Sequence, residues 1–259
     1  MKALFLALVW LVGLPATLFA QKAAHIVIMV VEEPDNYDAV NTMRGFAERE
    51  LKPLGHRVSL IVGDNPQKHH FTGLVEALRD ADLLMLFSRR RFPPKNQLAA
   101  IRAYLDAGKP LLGIRTANHA FIPKPKEVID DPDLTPWPTF TQEVLGCQNT
   151  GYETKGLPYS VSVAEGATNS VLLAGVNASN ILGHQSLYNV LPLESDVTPL
   201  LVGRAQTEIT PPQPIAWTRS YGKNHARIFY TSLGAPEDLL IPDVRTLLLN
   251  GVKWTLGKP

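Results

Sequence analysis

Residues 109–121 read KPLLGIRTANHAF. An apolar run, 110–112, reaches Gly113 and Ile114 and then breaks into the polar turn Arg115-Thr116-Ala117-Asn118-His119. This is the pattern of a buried strand delivering a sharp turn at the carboxyl edge of an α/β sheet, where such folds place their chemistry. Turns of this kind often present a nucleophile between small residues that let the backbone bend. Here the presented residue is Arg115, which stays protonated and cannot attack a substrate but binds oxyanions and carboxylates well. The expectation is a reaction site without a covalent nucleophile.

The flanking sequence supports that reading. Residues 26–31 form a continuous β-branched run, as expected of a strand covered on both faces. Residues 38–51 follow with Val40, Met43, Phe46 and Ala47 at helical spacing. Strands are then expected at 56–62, 82–87 and 110–114, separated by helices at 72–80 and 95–107. Alternating strands and helices imply right-handed crossovers and a parallel sheet, so the turn at Arg115 shares an edge with the loops after the first and third strands. Residues 122–158 are rich in proline, carry the acidic run 130–133 and lack periodicity, which suggests a lid or binding loop. Short β-rich runs at 159–163, 200–203, 215–219 and 227–231 resume the sheet. A helix at 243–256 closes the chain, with Val244, Leu247, Leu248, Val252 and Leu256 as its buried face. The fold class is α/β.

The chain has 259 residues, a formal net charge of +1 and 45% hydrophobic residues, enough for one large domain with a substantial core. Near-neutral charge gives no footprint for nucleic acid. Lys2, the apolar stretch at 3–14, Pro15 and small residues up to Ala20 match a secretory signal at 1–20. Residues 21–259 would then be a single exported domain, periplasmic or secreted, with no membrane segment left after cleavage. Cys147 is the single cysteine, so no disulfide forms within the chain, and a small buried side chain is its expected role.

Polar residues gather at the predicted strand ends: Glu32-Glu33 and then Tyr37, Ser88-Arg89-Arg90-Arg91, and Arg115, Asn118 and His119. If the sheet is as drawn they face one crevice suited to a small polar ligand, although three consecutive arginines also suit a solvated surface and His119 a structural role. His184 in GHQSLY precedes Tyr188 and is placed to reach the same crevice from another loop. His69-His70 lacks the companions of a metal motif. The phosphate-binding glycine loop and the GxSxG elbow are both missing from the sequence. No cofactor and no metal are called for.

Two longer stretches, PIAWTRSYGKNHARIFYTSLGAPEDL (214–239) and LLLNGVKWTLG (247–257), resemble the ThuA-like family, named for trehalose utilisation. Residues 88–121 are similar to a branch of it common in exported bacterial proteins, and the resemblance covers roughly 25–257. It implies a class I glutamine-amidotransferase-like fold, a flavodoxin-like three-layer sandwich. Arg115 stands where amidotransferases carry cysteine, so amidotransferase chemistry is not expected. By motif, Glu32, Arg90, Arg115, His119, His184 and Tyr188 fall in the family's pocket. Ala235 stands where many relatives carry histidine after TxLG, and Glu153 replaces a histidine-rich segment.

The resemblance implies carbohydrate catabolism, with trehalose or a related glycoside handled as a 3-keto derivative. Glu32 or His119 would be the base and Arg115 with Arg90 the oxyanion partner, while Asn118, Glu153, His184 and Tyr188 contact the sugar. The alternatives are a non-catalytic carbohydrate-binding or scaffold protein, for which Trp137 would supply a stacking surface, and a metal-dependent hydrolase built on His119 and His184. The partner is a small carbohydrate, and homo-oligomerisation stays open.

Overall fold

The computed structural model describes residues 23–32, 36–63, 69–153, 157–206 and 211–257. The expected signal at 1–20 and Glu33 lie outside them. Strand β1 (His25–Val30) is buried along its whole length. Its alternate residues go to opposite sides of the sheet, as the two-residue period of a strand requires. Ile26, Ile28 and Val30 join one core, while Val27, Met29 and Val31 join the other. Two cores on the faces of one sheet make the three-layer sandwich.

Helix α1 (Ala39–Phe46) turns Val40, Met43 and Phe46 to the first core, and strand β2 (Arg57–Val62) follows. Helix α2 (Leu74–Arg79), strand β3 (Leu83–Phe87), helix α3 (Lys95–Asp106) and strand β4 (Leu111–Ile114) complete the predicted alternation. Beyond β4 lie β5 (Gly151–Tyr152), β6 (Tyr159–Val163), β7 (Leu182–Gly183), β8 (Tyr188–Asn189), β9 (Thr198–Ala205), β10 (Gln213–Tyr221), β11 (Ala226–Thr231) and helix α4 (Pro242–Thr255).

The main sheet runs β2-β1-β3-β4-β11-β10-β9-β6-β7. From β2 to β11 every pairing is parallel. From β11 to β7 every pairing is antiparallel. The antiparallel wing was not foreseen in the β-rich runs of the second half. Chain length sets its first pairing: only residues 222–225 separate β10 from β11, too few for a parallel crossover. Helix α4 buries Val244, Leu247, Leu248 and Val252 as expected, and packs Gly251 where a Cβ would meet the Phe229 ring.

The proline-rich segment is largely exposed up to residue 133, and from Trp137 onward it packs into the core. Trp137 and Phe140 are buried against Phe121, with ring centroids 6.4 Å and 4.8 Å from it. The Arg102 guanidinium lies 3.6 Å from the Trp137 ring, and the indole N–H donates to Glu143 at 2.8 Å. Trp137 is therefore core and offers no stacking face to a sugar. Cys147 is buried as expected, and burial pushes its thiol well above the ordinary range. Among the described residues no helix is long and apolar enough to cross a membrane.

Candidate functional site

The carboxyl ends of β1, β3 and β4 meet at one place. Ile114 is still extended, Arg115 turns to φ +44°, and residues Arg115–His119 wind into a short 3-10 turn. A positive φ costs a non-glycine residue about 1–3 kcal/mol and persists only where the surroundings hold it. Here the holding contacts are evident. The Tyr230 hydroxyl donates to the Arg115 carbonyl at 2.7 Å, and Thr116 donates to Asn36 at 2.7 Å. Gly113 leaves room for the Tyr230 ring, which a Cβ there would meet at 3.0 Å.

Three other side-chain-bearing residues at this edge share the left-handed backbone: Tyr37, Asp38 and Arg90. The Arg90 N–H donates to the His119 carbonyl at 3.0 Å and the Arg91 N–H to the Ala120 carbonyl, zipping the loop after β3 onto the turn. The run 89–91 is thus no free solvated stretch. Arg90 is half-buried, with Nη1 on the Ile122 carbonyl at 3.0 Å.

Arg115 is not presented to solvent as the sequence suggested: it is wholly buried. Its Nη1 donates to the Ser232 carbonyl at 2.7 Å, and Nη2 donates to the Ser186 carbonyl at 3.3 Å and to the Tyr37 phenol at 3.2 Å. The guanidinium also lies 4.1 Å from the Tyr37 ring centre and 5.0 Å from that of Tyr188. Burial alone would weaken its charge, but Tyr188, Tyr37, Tyr159 and Asp238 around it raise its pKa on balance. Arg115 is a fixed buried cation.

His119 is also sealed in. Its Nδ1 contacts the Asn118 carboxamide, and its ring meets Tyr188 edge-on at 5.9 Å. Burial first, then the charges of Arg90, Arg89 and Arg115, push its pKa down to about 3. It is neutral at physiological pH, and its lowered pKa makes it a weak base. Asn118 is buried, and its Nδ2 is without a partner among the described residues, as are Arg115 Nε, Ser88 Oγ and Ser232 Oγ.

His184 comes from the loop between β7 and β8. Its backbone N–H and Nδ1 lie 3.3 Å and 3.4 Å from Asp238 Oδ1, while 37% of its side chain is exposed. Asp238 is wholly buried, and its other oxygen accepts the N–H groups of Gly234 and Ala235 at 2.9 Å and 3.0 Å. This arrangement holds an imidazole with one nitrogen on a carboxylate and the other available.

Glu32 is exposed at the end of β1. Glu153 lies just past β5, its N–H on the Leu187 carbonyl at 2.8 Å. In the β5–β8 ribbon Tyr152 is paired directly with Tyr188, so both project from the same face. Tyr188 is buried against Arg115 and His119, whereas Tyr152 is 63% exposed.

The structure thus gathers Arg90, Arg115, Asn118, His119 and Tyr188 around one turn and brings His184 alongside through Asp238. Glu32 follows β1 and Glu153 follows β5. Sequence reading missed Asn36, Asp238 and Tyr152. Asn36, in the polar break after β1, carried a local signal. Asp238 follows the Gly234-Ala235-Pro236 break, where free N–H groups need an acceptor.

A cleft of about 780 Å³ is lined by His69, His70, Lys95, Asp131 and Asp133 among others, and includes none of the residues of the turn. The His69 ring is engaged there, accepting the Phe92 N–H at 2.9 Å and stacking on Phe92. Among the described residues no three His, Cys, Asp or Glu side chains gather closely enough to hold a metal ion.

A model of the ThuA family, described as trehalose utilisation, matches residues 28–255. A search of curated proteins finds no match. The fold is similar to a ThuA-like protein from Bacteroides uniformis, with a TM-score of 0.68 at 18% identity over 94% of this chain and 95% of that one. A second ThuA-like protein, from Parabacteroides merdae, superposes with a TM-score of 0.60 at 16% identity over 92% and 91%.

Proposed function

The chain belongs to the ThuA family, and on that premise we propose that it acts in carbohydrate catabolism on a small glycoside of the trehalose type, processed as its 3-keto derivative by acid–base chemistry. The observation that carries this reading is the buried Arg115, flanked by Tyr37 and Tyr188 on one side and by Asp238, which engages His184, on another. A hydrogen α to a ketone leaves readily when a base faces it and positive charge supports the developing oxyanion.

The base role passes from His119 to His184. His119 is buried and weakly basic, whereas His184 is partly exposed and held by a buried carboxylate. Glu32 and Glu153 would serve hydroxyl recognition, and Tyr152 offers an exposed ring on which a pyranose would stack. Asn118 and His119 form the floor. Lys2 with the apolar stretch at 3–14 supports export to the periplasm or beyond. A reading as a non-catalytic carbohydrate-binding protein is favoured by one fact, the complete burial of Arg115.

Incubation with 3-keto-trehalose separates the two. Turnover that His184→Gln abolishes supports the enzyme. Saturable binding of trehalose without turnover supports the binding protein. Neither turnover nor binding rejects both.

A further inference from the structure

The charge of Arg115 does not reach a substrate directly, because the guanidinium is wholly buried and gives three of its N–H groups to Ser232, Ser186 and Tyr37. We infer that Tyr37 carries that charge to the substrate, its phenolic O–H being the group that hydrogen-bonds and protonates the sugar oxygen. The inference rests on the reading of a 3-keto glycoside as substrate.

Three geometric facts support it. The Tyr37 oxygen accepts from Arg115 Nη2 at 3.2 Å while its ring covers the guanidinium at 4.1 Å. The Tyr188 ring, itself buried, also lies against the guanidinium, at 5.0 Å. A phenol oxygen that accepts from Arg115 keeps its own proton for another group. Of Arg115, Tyr37 and Tyr188, Tyr37 alone is partly exposed.

The backbone agrees. Tyr37 and Asp38 both take φ near +50°, at 55° and 45°. Strain of this kind is tolerated where the surroundings fix the conformation and often where function needs it. Asn36, immediately before, is bonded to the carbonyls of Val31 and Phe87 and to Thr116, which fixes where Tyr37 emerges.

In the step that follows, the His184 imidazole takes the proton α to the ketone. The C–H pair becomes the carbon–carbon double bond, and the carbonyl pair moves to oxygen. Tyr37 donates its proton to that oxygen, leaving an enediol and a phenolate held by Arg115. The imidazolium then protonates the former carbonyl carbon while the neighbouring enediol hydroxyl gives its proton to the phenolate, which yields the isomerised keto sugar and restores both groups. The groups facing the phenol are Arg115 from the turn, Tyr188 from β8 and Arg89 from the loop after β3. Burial opposes ionisation, but these three bring the Tyr37 pKa below its usual range.

The test uses the native chain, Tyr37→Phe and Tyr188→Phe, with melting curves confirming that each variant folds. Phenolate absorbance is followed against pH, and turnover of 3-keto-trehalose is measured in parallel. Wild type should show one phenol ionising below the usual value of about 10. That phenol should vanish in Tyr37→Phe and move upward in Tyr188→Phe. Removing a donor of this kind should lower kcat by about 100-fold to 1,000-fold with KM little changed, and should alter the alkaline limb of the pH profile. Superposable titrations of wild type and Tyr37→Phe overturn the relay. Equal turnover by those two proteins also overturns the relay while leaving the enzyme reading intact. A wild type that leaves 3-keto-trehalose unchanged overturns the substrate reading instead, and the titration then decides the relay by itself.

Discussion

Thr116 donates its hydroxyl to the Asn36 carboxamide oxygen at 2.7 Å, across 80 positions of sequence. The Asn36 amide nitrogen donates in turn to Val31 O at 3.2 Å and Phe87 O at 3.1 Å. One buried side chain thereby joins the ends of β1 and β3 to the turn after β4. Such a clamp is costly to break, because each freed partner stays buried. Asn36→Ala should lower stability by about 2–4 kcal/mol, given roughly 1–3 kcal/mol for each unsatisfied buried group with partial relaxation. Urea unfolding measures it, and a change within error would show the clamp to be dispensable.

The acid response of stability should carry the mark of His119. Its native pKa, near 3, lies below the value of about 6.5 that an unfolded histidine has. Between those values the unfolded chain binds a proton that the native state refuses. The contribution is therefore complete above about pH 6.5 and is lost as pH falls towards 3. Lowered carboxylates such as Glu143 act in the same direction, but in a window that opens at lower pH. His119→Gln should flatten the dependence of unfolding free energy on pH between 6 and 4 by about one proton. Parallel slopes in the two proteins would contradict a neutral buried imidazole.

Gly234 borders the turn from the other side. A Cβ there would press into Ile114 Cγ2 and sit 3.7 Å from the Arg115 Cβ. Overpacking of this kind costs about 1–3 kcal/mol. Gly234→Ala should lower the urea midpoint without changing the slope of the transition. A variant as stable as wild type would show that the seam between β4 and residues 232–235 gives way easily.

Tyr152 provides the opposite case. It is 63% exposed, so Tyr152→Ala should leave the melting temperature nearly unchanged. Loss of a stacking ring should weaken binding of trehalose or its 3-keto derivative by about 10-fold, in line with aromatic contacts worth roughly 1 kcal/mol or more. Calorimetric titration reads this directly, and undiminished affinity would remove the β5–β8 ribbon from the sugar site.

How much of this was legible in the sequence can be argued residue by residue. The run His25–Val30 has no polar residue after its first, so it had to be a strand covered on both faces. Gly113 and the polar turn behind it marked an edge loop. The spacing of Val244, Leu247, Leu248 and Val252 marked one face of a closing helix. The motifs at 214–239 and 247–257 marked the family. In each case the signal lies within one element, because periodicity and turn chemistry act over a few residues.

Burial at the turn and the partners of its side chains were settled by tertiary structure alone. Arg115 looked like an open anion-binding residue and is instead enclosed by Tyr37, Ser186, Tyr188 and Ser232, which come from distant parts of the chain. His119 has its basicity lowered by burial and by three arginines, which its place in the sequence does not reveal. Trp137, in a proline-rich loop, looked available and is core. The protonation state and accessibility of a polar side chain depend on through-space desolvation and on charges brought near by chain crossings. The sequence alone determined the element types, the alternating order of the first half and the identity of the turn. The fold decided which of its polar groups stayed open to a ligand, since that is a property of packing between residues far apart in the chain.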